Sequence, residues 1–352
     1  MLYLGGDAIM RAPGFSWDLL GKAGDVLVDH FDAYTSYEEH HVHIVGMLGN
    51  DGHAMYAAAP FLAVLQYGRV QDAVQMVNRT LPLLQRIAET PDKPGYVLGF
   101  LWGVQCNSIC YHILGLSQHV KNLFAILGLS FDSTATKVDE VSKVEQGALL
   151  TAMDHKGPGG GLISTKRCVW QIKCFCILHT NVPLPKAVAW LESLPDNAEF
   201  LEYALAMGSY DCGAVFGVHQ TVWIALACEK VGLYESALRF ADLQLEPEVS
   251  KGGTPATKWA QVLALCCKGR ALAKLDRNDN ALSAFQAAIR TAKESYKMMV
   301  AFAYRELTHY TGGGGGGGNA AAEQAAKDLD ATLAEFDGRL SRAEFDSLTI
   351  AP

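Results

Sequence analysis

LCCKGRALAKLDRNDNALSAFQAA, residues Leu265–Ala288, decides the fold. Apolar residues recur at helical spacing up to Leu275, the polar run Asp276–Asn280 interrupts them, and helical spacing resumes at Ala281. Two amphipathic segments joined by so short a turn form an antiparallel helical hairpin. Gly269 and Ala281 are small enough to let the helices interlock, and Phe285 fills the space towards the next hairpin. The same turn and restart appear at GRVQDA (Gly68–Ala73), GLSQHV (Gly115–Val120) and GLYESA (Gly232–Ala237). Each, like DRNDNA (Asp276–Ala281), sets a small or β-branched residue five positions after the turn begins. A repeated unit has to be recognised before any search for a reaction centre, because one hairpin buries its apolar face only by stacking on others.

Leu265, Gly269, Leu272, Ala281, Phe285 and Ala288 together resemble the tetratricopeptide repeat, whose pattern has an apolar residue, a Gly or Ala at the helix crossing, a short turn, an Ala, an aromatic and another Ala. The unit centred on Ala237 is similar through Ala225, Cys228, Gly232 and Tyr234, with Thr221 at the first pattern position. It departs in its second helix, where Ala241 and Gln244 replace Phe285 and Ala288, so contact with the next hairpin must be made differently there. These two units carry the resemblance. The units at Ala73 and Val120 are generic hairpins, and a fifth is centred on Ala187, with CVWQIKCFCILH (Cys168–His179) before it and PKAVAWLESL (Pro185–Leu194) around it.

Ala73, Val120, Ala187, Ala237 and Ala281 lie 47, 67, 50 and 44 residues apart, against ~34 in a regular tetratricopeptide array. The array is therefore irregular. LEPEVSKGGTPATKW (Leu245–Trp259) takes up part of the excess, and the widest gap has room for a helix at Val138–Met153 followed by a loop, HKGPGGGLIST (His155–Thr165). The expected fold is all-α, an α-α superhelix built as one right-handed solenoid of five to seven hairpins over residues 1–352. Within it, weaker hairpins occupy 15–155, tetratricopeptide-like hairpins 164–310, a Gly-rich loop 312–318 and C-terminal helices 320–348. The last hairpin joins SYKMMVAFAYRELTHY (Ser295–Tyr310), whose Met and aromatic residues are spaced as a core stripe, to AAAEQAAKDLDATLAEF (Ala320–Phe336), stopped by Gly338. The seven glycines Gly312–Gly318 have no side chains to pack and read as a flexible loop. No period-two segments predict a sheet.

Half of the 352 residues are hydrophobic, enough for a large buried core, and the 29 Lys and Arg against 37 Asp and Glu form no basic stripe. Nucleic acid is excluded as the expected partner. The nine cysteines lie mostly inside apolar segments without disulfide or metal-ligand spacing, which fits a reducing compartment. MLYLGGDAIM shows no basic n-region and reaches Asp7 before any apolar stretch of useful length, so no secretory signal is visible and a cytoplasmic location is expected. Gly95–Val120 carries no Asp, Glu, Lys or Arg and is long enough to span a bilayer. Its Gln105, Asn107, Ser108, His112, Ser117 and the break at Gly115 suit buried helices better than a membrane span.

Reactive side chains are densest in DHFDAYTSYEEHHVH, Asp29–His43. If Thr35 caps a helix, Glu39 and His43 stand one turn apart beside His40, a spacing a divalent metal or an acid/base pair could use. A solvated first turn, its acids favouring the helix dipole, explains the same residues. Cys168, Cys174, Cys176 and His179 form another set, but Cys174 and Cys176 point about 160° apart on a regular helix and suit core packing. Cys106 and Cys110 share a face, with no basic residue to activate a thiol. GPGGGLISTK (Gly157–Lys166) lacks the Lys-Ser/Thr pair and preceding strand of a phosphate loop, and no nucleophile elbow is present. No residue is therefore assigned a catalytic, cofactor-binding or metal-binding role.

The tetratricopeptide resemblance implies a protein-interaction scaffold or adaptor whose first helices line a concave groove for a partner peptide or helix. In the best unit the groove residues would be Lys258, Gln261, Lys268 and Arg270. The groove Lys, Arg and Asn of chaperone-tail-binding members do not occur as a set, so that partner is not implied. The alternative is an enzyme on an α/α scaffold, with its site near Glu39, His40 and His43.

Overall fold

The computed structural model describes residues 63–89, 104, 107–134, 160–197, 220–246, 255–312 and 318–348, and among them the chain is all-α, with no strand. Its contacts divide it into two compact units, Val64–Arg69 grouping with Thr180–Pro352 and the rest of Met1–His179 forming the other.

The quoted turns share one backbone solution. Gly115, Gly232 and Asp276 have φ of 70°, 84° and 58°, the left-handed conformation that ends a helix. Their amides donate three residues back, to His112, Glu229 and Ala273, and the next amides donate five back, to Tyr111, Cys228 and Leu272. Those next residues, Leu116, Leu233 and Arg277, have nearly the same dihedrals (φ/ψ −94°/53°, −82°/65°, −92°/62°) and open the following helix. The residue four further on, Val120, Ala237 or Ala281, donates to their carbonyls and is fully buried. One six-residue pattern thus closes one helix and opens another, and the turn at Val120 is as regular as the other two. Gly68, with φ of 65°, donates its amide four residues back, to Val64.

The first unit contains α1 (Val70–Glu89), a helical segment at 107–113, α2 (Ser117–Ile126) and α3 (Gly160–His179). The uncharged run ending at Val120 is bent at Gly115 into two helices, and no described helix is long and apolar enough to cross a membrane. The expected loop through Thr165 is corrected, since α3 already begins at Gly160. The first amides of a helix have no intrahelical partner, so glycine is tolerated best there, and the apolar residues from Leu162 onward continue the helical pattern. The helix expected at Val138–Met153 lies outside the described residues.

The second unit contains α4 (Leu184–Ser193), α5 (Gln220–Lys230), α6 (Tyr234–Leu245), α7 (Pro255–Lys274), α8 (Asn278–Ala292), α9 (Lys297–Gly312), α10 (Gly318–Ala334) and α11 (Arg342–Ser347). Helices α5/α6, α7/α8 and α9/α10 pair as successive hairpins, and the first helices α5, α7 and α9 also lie side by side. Sequence pattern explains the layering. Thr221–Cys228 of α5 is buried without interruption, while α8 buries Ala281, Ala284, Phe285, Ala288 and Ala292 on one face and leaves the other polar. Met298, Met299, Phe302 and the alanines beside it are buried in α9, as their spacing predicts. The ends of the glycine run, Gly312 and Gly318, belong to the flanking helices, and residues 313–317 lie outside the described ones.

Ser341 and Glu344 form a reciprocal capping box on α11. The buried Arg305 guanidinium donates to the carbonyls of Phe345 (3.2 Å) and Leu348 (2.9 Å), ending that helix with a cation. The segment Val64–Arg69 reaches the same region. A Cβ on Gly68 would stand 2.8 Å from the Phe336 ring, and Gln66 accepts from the Lys297 amide at 3.4 Å.

Candidate functional site

Three of the four residues expected to line a groove share one face of α7. At about 100° per residue, Lys258, Gln261 and Lys268 fall within about 80° of arc, with Leu265 between them, whereas Arg270 lies about 120° round from Lys258. All four members of the stripe are half-buried. Lys258 pairs with Glu294 at 3.0 Å and Lys268 with Asp242 of α6 at 2.5 Å, both acids being more exposed than their lysines.

Arg270 has a different task. Its Nε and one terminal nitrogen donate to the two oxygens of Glu229 on α5 at 2.6 and 2.8 Å, and the other donates to Glu306 on α9 at 2.6 Å. The guanidinium side chain is 18% exposed and its acids 12% and 10%, so the three first helices are pinned together by a charge cluster largely out of water. Burial works against the Arg270 charge, but Glu229 and then Glu306 outweigh it and hold its pKa well above the usual arginine range. A planar fork suits this geometry because two parallel donors meet one carboxylate while a third reaches elsewhere.

The first unit holds a second polar cluster that the sequence reading did not assemble. His179, the last residue of α3, places Nε2 2.8 Å from Nδ1 of His112, in the helical segment 107–113. Its Nδ1 lies 2.9 Å from Oγ of Ser117, the first residue of α2. Both histidines are buried and Ser117 is half-buried. Phe175, one turn before His179, stacks on its ring at 6.0 Å and meets His112 edge-on at 5.8 Å. The cluster joins positions more than sixty residues apart, and no spacing rule links them. The nearest signal was the group of polar residues in an otherwise apolar run.

The thiols point elsewhere. Cys110, Cys174, Cys176, Cys228, Cys266 and Cys267 are buried thiols outside any disulfide, and burial pushes Cys110, Cys176 and Cys228 up to about 12. They pack as small hydrophobes. No group of three or more metal-ligating side chains converges among the described residues. Glu39, His40, His43 and Cys106 lie outside the described residues. No protein-family model, curated protein or solved structure matches the chain.

Proposed function

We propose that this chain is a tetratricopeptide-like scaffold or adaptor that holds a partner protein or peptide and works in the reducing cytoplasm. The observation that carries the reading is the recurrence of one turn geometry, with three hairpins stacked so that α5, α7 and α9 lie side by side. A repeat of this kind takes its function from what its surfaces hold. The half-buried stripe Lys258–Gln261–Leu265–Lys268 offers the contact: acidic groups of a partner exchange with Glu294 and Asp242 at the two lysines, and an apolar side chain covers Leu265. The buried thiols, outside any disulfide among the described residues, support a reducing compartment.

A photo-crosslinking residue at Gln261, compared with one at the exposed Gln286 on α8, tests this. Capture of a discrete partner at Gln261, abolished by Lys258→Glu with Lys268→Glu, is expected. Equal capture at both positions, or none at Gln261, overturns the proposal. The alternative, an enzyme site at Glu39, His40 and His43, lies outside the described residues.

A further inference from the structure

The Ser117–His179–His112 chain is arranged as a nucleophile, a base and a group that orients the base. Its two hydrogen bonds can run in either of two concerted directions, set by the tautomers of the two rings. When His179 Nε2 donates to His112 Nδ1, the lone pair on His179 Nδ1 accepts the Ser117 hydroxyl proton, which is the arrangement an activated serine requires. Phe175 packs against both rings and fixes their planes. Ser117 follows the left-handed Gly115 by two residues, so its hydroxyl stands on a tight turn at the start of a helix and is half-buried where the histidines are buried. In that first turn the His119 and Val120 amides already donate to the Leu116 carbonyl. The Ser117 and Gln118 amides precede them as the first amides of the helix, the donors an oxygen developing charge beside Ser117 would use.

We propose that Ser117 is a catalytic nucleophile for acyl transfer from small, uncharged carboxylic esters, with His179 as general base and His112 as its positioning residue. Ser117 Oγ forms a bond to the carbonyl carbon as its proton passes to His179 Nδ1. The imidazolium formed is shared through Nε2 with His112. Collapse of the tetrahedral species breaks the acyl–oxygen bond, and the Nδ1 proton leaves with the departing alcohol. Water, deprotonated by His179, then releases the carboxylic acid and restores the serine. An uncharged ester fits because the three side chains offer no permanent charge to bind an anionic one. This activity is independent of the scaffold reading, and each stands or falls without the other.

The test is labelling of the full chain with a fluorophosphonate, located by peptide mass, alongside hydrolysis of p-nitrophenyl acetate. Native protein is expected to label at Ser117 about 100-fold or more faster than urea-unfolded protein, the scale of general-base assistance. Ser117→Ala and His179→Ala should lose both label and turnover. His112→Asn should slow labelling and move the pH at which it is half-maximal, a change that loss of packing alone does not produce. If native Ser117 labels no faster than in the unfolded chain, or no faster than exposed Ser347, the proposal is wrong whatever the variants do. Turnover that survives in Ser117→Ala overturns it equally.

Discussion

The ring of Phe285 lies on the bare α-carbon of Gly269: a Cβ built there would stand 2.7 Å from two ring atoms. The other hairpin partner of that ring is Tyr310, with ring centroids 5.1 Å apart, so Phe285 is clamped between its own first helix and the next hairpin.

Gly269→Ala is expected to destabilise the protein by about 1–3 kcal/mol, because overpacking a filled site outweighs the roughly 1 kcal/mol that alanine gains over glycine in a helix. Phe285 is 1% exposed and has no room to swing aside. Phe285→Ala alone should cost about 3–5 kcal/mol. In the Phe285→Ala background, however, Gly269→Ala should become neutral or stabilising, reproducing the pair Ala225 and Ala241 that stands at the equivalent positions one hairpin earlier. Urea unfolding of the four proteins measures the coupling; additive effects would contradict the contact.

Thr221 donates to Gln244 at 2.6 Å in the buried interior of the α5/α6 hairpin. These are the two polar departures from the repeat pattern, standing where the next hairpin has Leu265 and Ala288. Thr221→Val removes the donor from a buried carbonyl and should cost about 1–3 kcal/mol. The double change Thr221→Leu with Gln244→Ala restores the apolar pair and should cost less than the sum of its parts, read from the same unfolding curves.

Arg270→Ala leaves Glu229 and Glu306 buried without their shared cation, and a loss of about 3–5 kcal/mol is expected. Arg270→Lys should recover only part of this, since a point charge cannot reproduce the fork that grips Glu229 while reaching Glu306. Thermal unfolding checks both. A lysine variant as stable as the parent would show that the fork geometry contributes nothing.

Cys110, Cys176 and Cys228 keep their protons to about pH 12 in the folded protein, against 9.0 for an unburied thiol. A pKa raised by folding contributes stability that is complete below the unfolded value and is lost as pH rises towards the folded one. Stability should therefore decline between about pH 9 and 12, by up to ~1.4 kcal/mol per pH unit for each thiol. Unfolding measured across that range checks the slope. Alkylation of these thiols at pH 8 should be slow in native protein and fast in denaturant.

The sequence by itself determined the helical hairpins. A helix has to end where an apolar period meets a residue able to adopt positive φ, and Gly115, Gly232 and Asp276 announce this locally, as does the small or β-branched residue five positions on. It also determined that Phe285 belongs to a packing role, because an aromatic at that register has nowhere else to go. Only tertiary structure decided which polar residues meet. Lys258, Gln261 and Lys268 could be placed on a common face from helical periodicity, but Arg270 turns towards Glu229 and Glu306 on neighbouring helices, which no local pattern encodes. The same holds for Thr221 with Gln244, for Gly68 against Phe336, and for Ser117, His179 and His112. Such contacts depend on how stacked helices bring distant turns together, and burial then makes each polar group find its partner across the chain rather than along it.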